Sequence, residues 1–258
     1  GWDDMGIFNF EGGCYAKIID LQREKEPAIF DAITHGALVE NTLFKAGSNQ
    51  IDFNNNSITE NIRVSYPIHF IPNVLLPSSA THPQNIFFLT CDAYGVLPPV
   101  SRLSVDQAMY HFINGYTAKI AGTETGVKEP KATFSACFGA PFLPLPPRDY
   151  AMLLKKRLEQ FPAQVWLVNT GWTGGAYGTG HRIPLHYTRN ILSAVLNGQL
   201  DATGFVKEPW FQLSIPVSCP GVPDNLLNPF NTWSNKQAYV TTALQLVEQF
   251  RENHAKYQ

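Results

Sequence analysis

The sequence predicts a mixed α/β (α+β) fold, a mixed sheet with helices packed on it. Three observations lead there. Four segments repeat apolar residues at helical 3-4 spacing, short apolar runs of strand character lie between them, and 19 Pro and 19 Gly sit mostly at the junctions. The 258 residues are 44% hydrophobic, ample for a core.

In chain order, the runs 7–10 and 14–19 read as strands, followed by a short helix at 26–34 and strands at 38–44 and 86–90. Val105, Ala108, Met109, Phe112, Ile113 and Tyr116 form one helical stripe, with Ser104 placed to cap it. A strand is expected at 133–138. Tyr150, Leu153, Leu154 and Leu158 form the second stripe, ended by Pro162, and a strand follows at 165–168. Ile191, Leu192, Val195 and Leu196 form the third, closed by Asn197-Gly198, and Ala243, Leu246, Val247 and Phe250 the fourth. No internal repeat, low-complexity tract or linker breaks the chain, so one domain over residues 1–258 is expected, with no second domain.

Composition excludes several classes. Lys plus Arg is 19 against 21 Asp plus Glu, a net charge of -2, so no basic excess exists to neutralise a nucleic-acid backbone. The apolar stretch 68–76 is broken by His69, Pro72 and Asn73, so no membrane partner is expected. No export signal is visible, and Cys14, Cys91, Cys137 and Cys219 lie far apart, which fits reduced thiols in a cytoplasmic protein. The chain starts at Gly1 inside a dense motif, without an initiator Met, and is expected to be a piece of something longer.

Five strings compete for the chemistry. GWDDMGIFNFEGGCYAK (1–17) has Asp3, Asp4, Glu11 and Lys17 around Gly12-Gly13, a layout for holding a cation or phosphate, or simply a solvated hairpin. In ENIRVSYPI, Arg63 enters a strand and offers a two-pronged contact to a carboxylate or phosphoryl group, or a structural one. AYGVLPPVSRL (93–103) is a stiff loop at a strand end, where open α/β sheets hold ligands. AGTETGVKEP (121–130) has the composition of a lid or of a surface turn. NTGWTGGAYGTGHR (169–182) is Gly-rich, yet no G-x-x-x-x-G-K-[ST] or Gly-Lys occurs, so it is not a P-loop. The histidines show no zinc-hydrolase spacing, no G-x-S-x-G elbow exists, and His111 reads as a packed helix residue.

Together the strings resemble the ATP-dependent phosphoenolpyruvate carboxykinase family. The resemblance rests on GWDDMGIFNFEGGCYAK, ENIRVSYPI, AYGVLPPVSRL, FINGYTAKIAGTETG, FSACFGAPF and VNTGWTGG…GHRIP…TR, in family order, from residue 1 to about 250. It implies a carboxykinase-like C-terminal nucleotide-binding domain. The implied reaction takes oxaloacetate and ATP to phosphoenolpyruvate, carbon dioxide and ADP in gluconeogenesis. Mg²⁺ accompanies the nucleotide, and Mn²⁺ sits at the active site of the complete enzyme.

Residue by residue, the resemblance makes Arg63 the contact to substrate and γ-phosphate and Lys17 a lysine beside the transferring phosphoryl group. Glu26 corresponds to a nucleotide-contacting glutamate at the ribose. Arg182, Ile183 and Thr188 correspond to adenosine contacts, Phe142 to an apolar wall against the base, and 121–130 to the start of a lid. The family's phosphate loop and its metal ligands lie upstream of the match, so no metal ligand is expected here and the isolated chain is expected to be inactive. The loop 174–178 is longer than the family pattern. The alternative reading is a non-catalytic nucleotide-binding or interaction module, and a third is a GTP-using relative, against which the 182–188 region argues.

Overall fold

The computed structural model describes residues 1–119 and 130–257, which fall into two compact units: 1–83, and 84–119 with 130–257. The step from Pro83 to Gln84 carries no change of composition that would mark the boundary in sequence.

The first unit holds β1 (Ile7–Phe8), β2 (Gly13–Lys17), α1 (Pro27–Asp31), β3 (Leu38–Glu40), β4 (Arg63–Pro67) and β5 (Ser79–Ala80). Its main sheet is antiparallel with β4 central between β2 and β3, while β1 pairs with β5. Side chains alternate across a strand, so β4 sends Val64 and Tyr66 to one face and Arg63 and Ser65 to the other. Val64 and Tyr66 join Ile18, Ile62 and Ala32 in a buried cluster, against which Cys14, Ala16, Val39, Ile29 and Phe30 pack. The opposite face carries Tyr15, Lys17, Leu38 and Glu40 and is open. The strand expected at 38–44 stops at Glu40 because Asn41 adopts φ 56°, a left-handed conformation that ends a strand.

The second unit is built on a five-stranded sheet. Its strands are β6 (Asn85–Thr90), β7 (Val100–Leu103), β10 (Gln164–Asn169), β13 (Phe205–Lys207) and β14 (Ser214–Pro216), in the order β13-β14-β7-β10-β6. β10 runs parallel to β6 and antiparallel to β7. The mixed sheet of the sequence reading is therefore present. A hairpin-like pair, β8 (Tyr116–Lys119) with β9 (Lys131–Phe134), and a short pair, β11 (Trp172–Thr173) with β12 (His181–Arg182), lie beside it.

The helical stripes become α2 (Val105–Asn114), α3 (Pro147–Gln160), α4 (Leu185–Leu196) and α7 (Lys236–His254), except that Tyr116, the last residue of the first stripe, falls in β8 because left-handed Gly115 ends α2. α5 (Asp224–Leu227) and α6 (Pro229–Thr232) are single turns. Ser104 accepts from the Gln107 amide while the Gln107 side chain accepts from the Ser104 amide, a complete capping box. α3 and α4 begin earlier than their stripes because Pro147 at the first helical position and Pro184 just before Leu185 preset the chain for helix. The core of this unit joins Val100, Trp166 and Val168 of the sheet to Ile191, Ala194 and Val195 of α4 and to Leu200, Leu226 and Leu227. The strand expected at 133–138 ends at Phe134, since Cys137 and Phe138 both turn left-handed. Among the described residues no helix is long and apolar enough to cross a membrane.

Candidate functional site

In the first unit the sheet register brings two of the expected residues together. Lys17 stands opposite Arg63 on the β2–β4 ladder, and Glu40 stands opposite Arg63 on the β3 side. All three project to the open face, since directly paired residues share a side. Arg63 is held rather than loose: its Nε donates to Asn61 Oδ1 at 2.7 Å, and its guanidinium carbon lies 4.8 Å from the centre of the Tyr15 ring. The Tyr15 hydroxyl donates to the Glu40 carboxylate, which draws that acid toward the ring. The face thus presents a fixed guanidinium beside an ammonium, the equipment for two oxyanions at once. Tyr15 went unnoticed in the sequence, although its place two residues before Lys17 on one strand puts it on the same face. Glu26 occupies the position preceding α1, its amide donating to Gln22 O at 3.0 Å.

In the second unit Arg182, Ile183 and Thr188 follow β10 within 20 residues, while Phe142 lies apart in sequence, after β9. Arg182, exposed on β12, donates from Nε to Thr170 O at 3.1 Å, and its guanidinium carbon lies 5.6 Å from the Trp172 ring. Thr188 is buried in the first turns of α4. Ile183 is only 4% exposed and its side chain belongs to the core with Trp166 and Ile191, so what it offers near Arg182 is backbone: its amide donates to Gly171 O at 2.8 Å. Phe142 ends a single 3-10 turn at Ala140–Phe142 and is 85% exposed. The Gly-rich loop leaves β10 into the β11–β12 pair rather than directly into a helix, unlike a P-loop. The expected lid at 121–130 lies, but for Pro130, outside the described residues.

Beneath Arg182 is a polar network that sequence reasoning missed. Asp92, fully buried, accepts amides from Tyr94 (2.9 Å), Val96 (2.7 Å) and Leu97 (2.8 Å) and the Tyr116 hydroxyl (2.8 Å). Burial pushes its carboxyl above the ordinary range and these four donors pull it back, while burial and the Asp92 charge push the Tyr116 phenol well up. Burial also raises the neighbouring Cys91 thiol, against the pull of Arg182. The only signal in sequence was a single Asp closing a strand of apolar residues.

With this geometry in view, comparison with known proteins decides the family. Residues 1–225 match the family model described as phosphoenolpyruvate carboxykinase. The chain belongs to the ATP-dependent phosphoenolpyruvate carboxykinase family. Its similar relatives include the "Phosphoenolpyruvate carboxykinase (ATP)" of Amoebophilus asiaticus, 58% identical over 257 residues, and that of Caldanaerobacter subterraneus, 55% identical over 257 residues. Each match takes in 100% of this chain and 49% of the relative. The protein of that name from Dictyostelium discoideum is 54% identical, with 46% of its length covered. The carboxykinase chain therefore spans about half the length of the curated relatives it matches.

Divalent metal is implied by an ATP-dependent carboxykinase. Among the described residues, however, no group of three or more His, Cys, Asp or Glu side chains is placed to hold a metal ion. The buried Asp92 already spends both oxygens on four protein donors. Among the described residues, the donor set does not fit a metal centre.

Proposed function

We propose that this chain is the nucleotide-handling part of an ATP-dependent phosphoenolpyruvate carboxykinase, a lyase and kinase of gluconeogenesis acting in the cytoplasm on oxaloacetate, phosphoenolpyruvate and ATP. The observation that carries the reading is the pairing of Lys17 with Arg63 on one open sheet face, with Arg63 fixed by Asn61 and Tyr15. In the reaction the bond between oxaloacetate C3 and its C4 carboxylate breaks, carbon dioxide leaves, and the electron pair becomes an enolate. The enolate oxygen then forms a bond to the γ-phosphorus while the bond to the ADP oxygen breaks. No proton is gained or lost.

The protein's task in such a transfer is positioning and neutralising charge. Arg63 spreads its charge over two donors, which suits negative charge migrating from the enolate to the phosphoryl oxygens. Lys17 adds a point charge from the neighbouring strand. Arg182 stacks on the base, Ile183 contacts the adenosine, Thr188 supplies a hydrogen bond, Phe142 gives an apolar wall, and Glu26 takes the ribose. The four cysteines are free thiols, which supports the cytoplasmic assignment. Mg²⁺ with the nucleotide and Mn²⁺ at the reacting centre belong to the complete enzyme in this reading.

Ligand-observed NMR with this chain tests it. Adenosine and ADP at millimolar concentration are expected to bind and to compete with each other, guanosine to compete poorly, and turnover of oxaloacetate to be absent. Binding of guanosine in preference to adenosine, or of neither nucleoside, overturns the nucleotide assignment. Robust turnover overturns the partition of roles.

A further inference from the structure

Two loops follow the parallel strands β6 and β10, and Asp92 is where they are laced together. Its carboxylate gathers the amides of residues 94, 96 and 97 into a tight turn, with the Tyr116 hydroxyl closing the fourth bond. Its own backbone reaches the other loop. The Asp92 amide donates to Asn169 Oδ1 at 2.9 Å, and the Asp92 carbonyl accepts the Trp172 amide at 2.8 Å. Asn169 is shared between the loops: Oδ1 also accepts the Gly171 amide at 2.8 Å, and Nδ2 donates to Leu97 O at 2.8 Å. The approach is so close that a Cβ on Gly171 would lie 2.2 Å from the Asp92 carbonyl oxygen.

The short turn fixed in this way, 170–172, is the one Arg182 rests on. Thr170 O receives the Arg182 Nε–H, Gly171 O receives the Ile183 amide, and the Trp172 ring lies under the guanidinium. Thr170 is anchored a second time, its amide and hydroxyl both donating to Thr90 O at 2.9 and 3.1 Å. Arg182 itself is exposed, so its aim is set by what lies beneath it. We infer that Asp92 is a positioning residue for the adenosine site, holding the 170–172 turn in the register that aims the Arg182 guanidinium. The inference rests on the nucleotide reading above. It adds a residue that contacts no nucleotide and acts through Asn169, Gly171 and Trp172.

The geometry differs from a merely structural carboxylate in what it couples. An isosteric Asp92→Asn change keeps the backbone bonds to Asn169 and Trp172 but replaces one acceptor oxygen of the 94–97 turn by an N–H₂ that faces other donors. That turn shifts and carries with it Leu97 O, the acceptor of Asn169 Nδ2, so the disturbance reaches 170–172 through Asn169 while the apolar core is untouched. The loss then runs through Arg182, and removing both residues costs no more than removing Arg182 alone.

The test uses the whole chain and two readouts. First, the Arg182 Nε–H resonance, assigned by its disappearance in Arg182→Ala, is expected to be hydrogen-bonded and exchange-protected in the wild type. It should move to the free-arginine position in Asp92→Asn and shift partway in Tyr116→Phe. Second, adenosine affinity should fall about 10-fold in Asp92→Asn and about 3-fold in Tyr116→Phe, with the Asp92→Asn/Arg182→Ala double variant within 2-fold of Arg182→Ala. An unmoved Nε–H signal, or losses that multiply in the double variant, overturns the inference. Should Asp92→Asn fail to fold, Tyr116→Phe alone and with Arg182→Ala decides by the same criteria. If the wild type binds no adenosine, the nucleotide reading falls, and the Nε–H signal still decides whether Asp92 positions Arg182.

Discussion

Lys17 and Arg63 occupy directly opposed positions on neighbouring antiparallel strands, so their side chains leave one sheet face side by side. Like charges directly opposed across a ladder destabilise a sheet by a few tenths of a kcal/mol to about 1 kcal/mol. Here the repulsion is tempered from both flanks. Glu40 faces Arg63 from β3, and Asn61 and the Tyr15 ring take up the guanidinium.

Arg63→Lys separates charge from shape. The ammonium keeps the positive charge but loses the fork and the planar contact with Tyr15. In a polypeptide of full family length carrying this segment, turnover should fall by about 100-fold, the scale of removing one preorganised donor from a transition state, while ATP affinity changes little. Steady-state kinetics with oxaloacetate and ATP checks this. Near-normal turnover would make Arg63 a structural residue of the sheet.

How much of this was legible follows from the kind of order involved. Helices announce themselves locally: Ser104 and Gln107, three residues apart, and the apolar stripe of α2 specify a start and a face without help from the rest of the chain. Strand β7 did not announce itself, because Val100 follows two prolines and reads as loop until β10 and β14 pair with it. β13 and β14 are three residues each, too short for any period. Lys17 and Arg63 stood out by motif, but their opposition is a matter of register across 46 residues of chain, which no local pattern encodes. Asp92 was invisible for the same reason, since its meaning lies in Asn169 and Tyr116.

His111 gives the fold a dependence on mild acid. It is buried on α2 against Tyr110 and Phe250, and burial lowers its pKa from 6.5 to about 4. Between those values the unfolded chain takes up a proton that the folded chain refuses. Stability is therefore full above pH 6.5, declines as pH falls toward 4 and levels off below it, a loss of about 3 kcal/mol from this group. His111→Phe keeps a ring and removes the proton site. Denaturant unfolding from pH 7 to 4 should show a shallower acid slope in that variant; equal slopes would mean that His111 is not the titrating group.

Ser104→Ala should lower unfolding free energy by about 1 kcal/mol, because an amide at the first turn of α2 loses its acceptor. Gln107→Ala should cost more. Its side chain closes the capping box through one atom and donates to Gln212 O at 2.8 Å through another, tying the helix start to the segment before β14. Equal losses in urea titrations would show that the Gln212 tie contributes nothing.

Gly115→Ala should be the most damaging small substitution at the other end of that helix. Gly115 caps α2 in the left-handed conformation, φ 53°, which a side chain adopts only at a cost of about 1 kcal/mol or more. Its neighbour makes matters worse. A Cβ there would stand 1.7 Å from the backbone oxygen of Ser135, and Ser135 is itself fixed by donating its amide to Gly115 O at 3.0 Å. Neither backbone can yield without unpairing Tyr116 from Phe134, the first rung of the β8–β9 ladder. Strain and clash together should remove roughly 2–5 kcal/mol, read as a fall in urea midpoint and as faster amide exchange at Tyr116 and Phe134. A loss below 1 kcal/mol would mean that the turn around Ser135 slides aside at little cost, and that the junction between α2 and β8 is far softer than its hydrogen bonds imply.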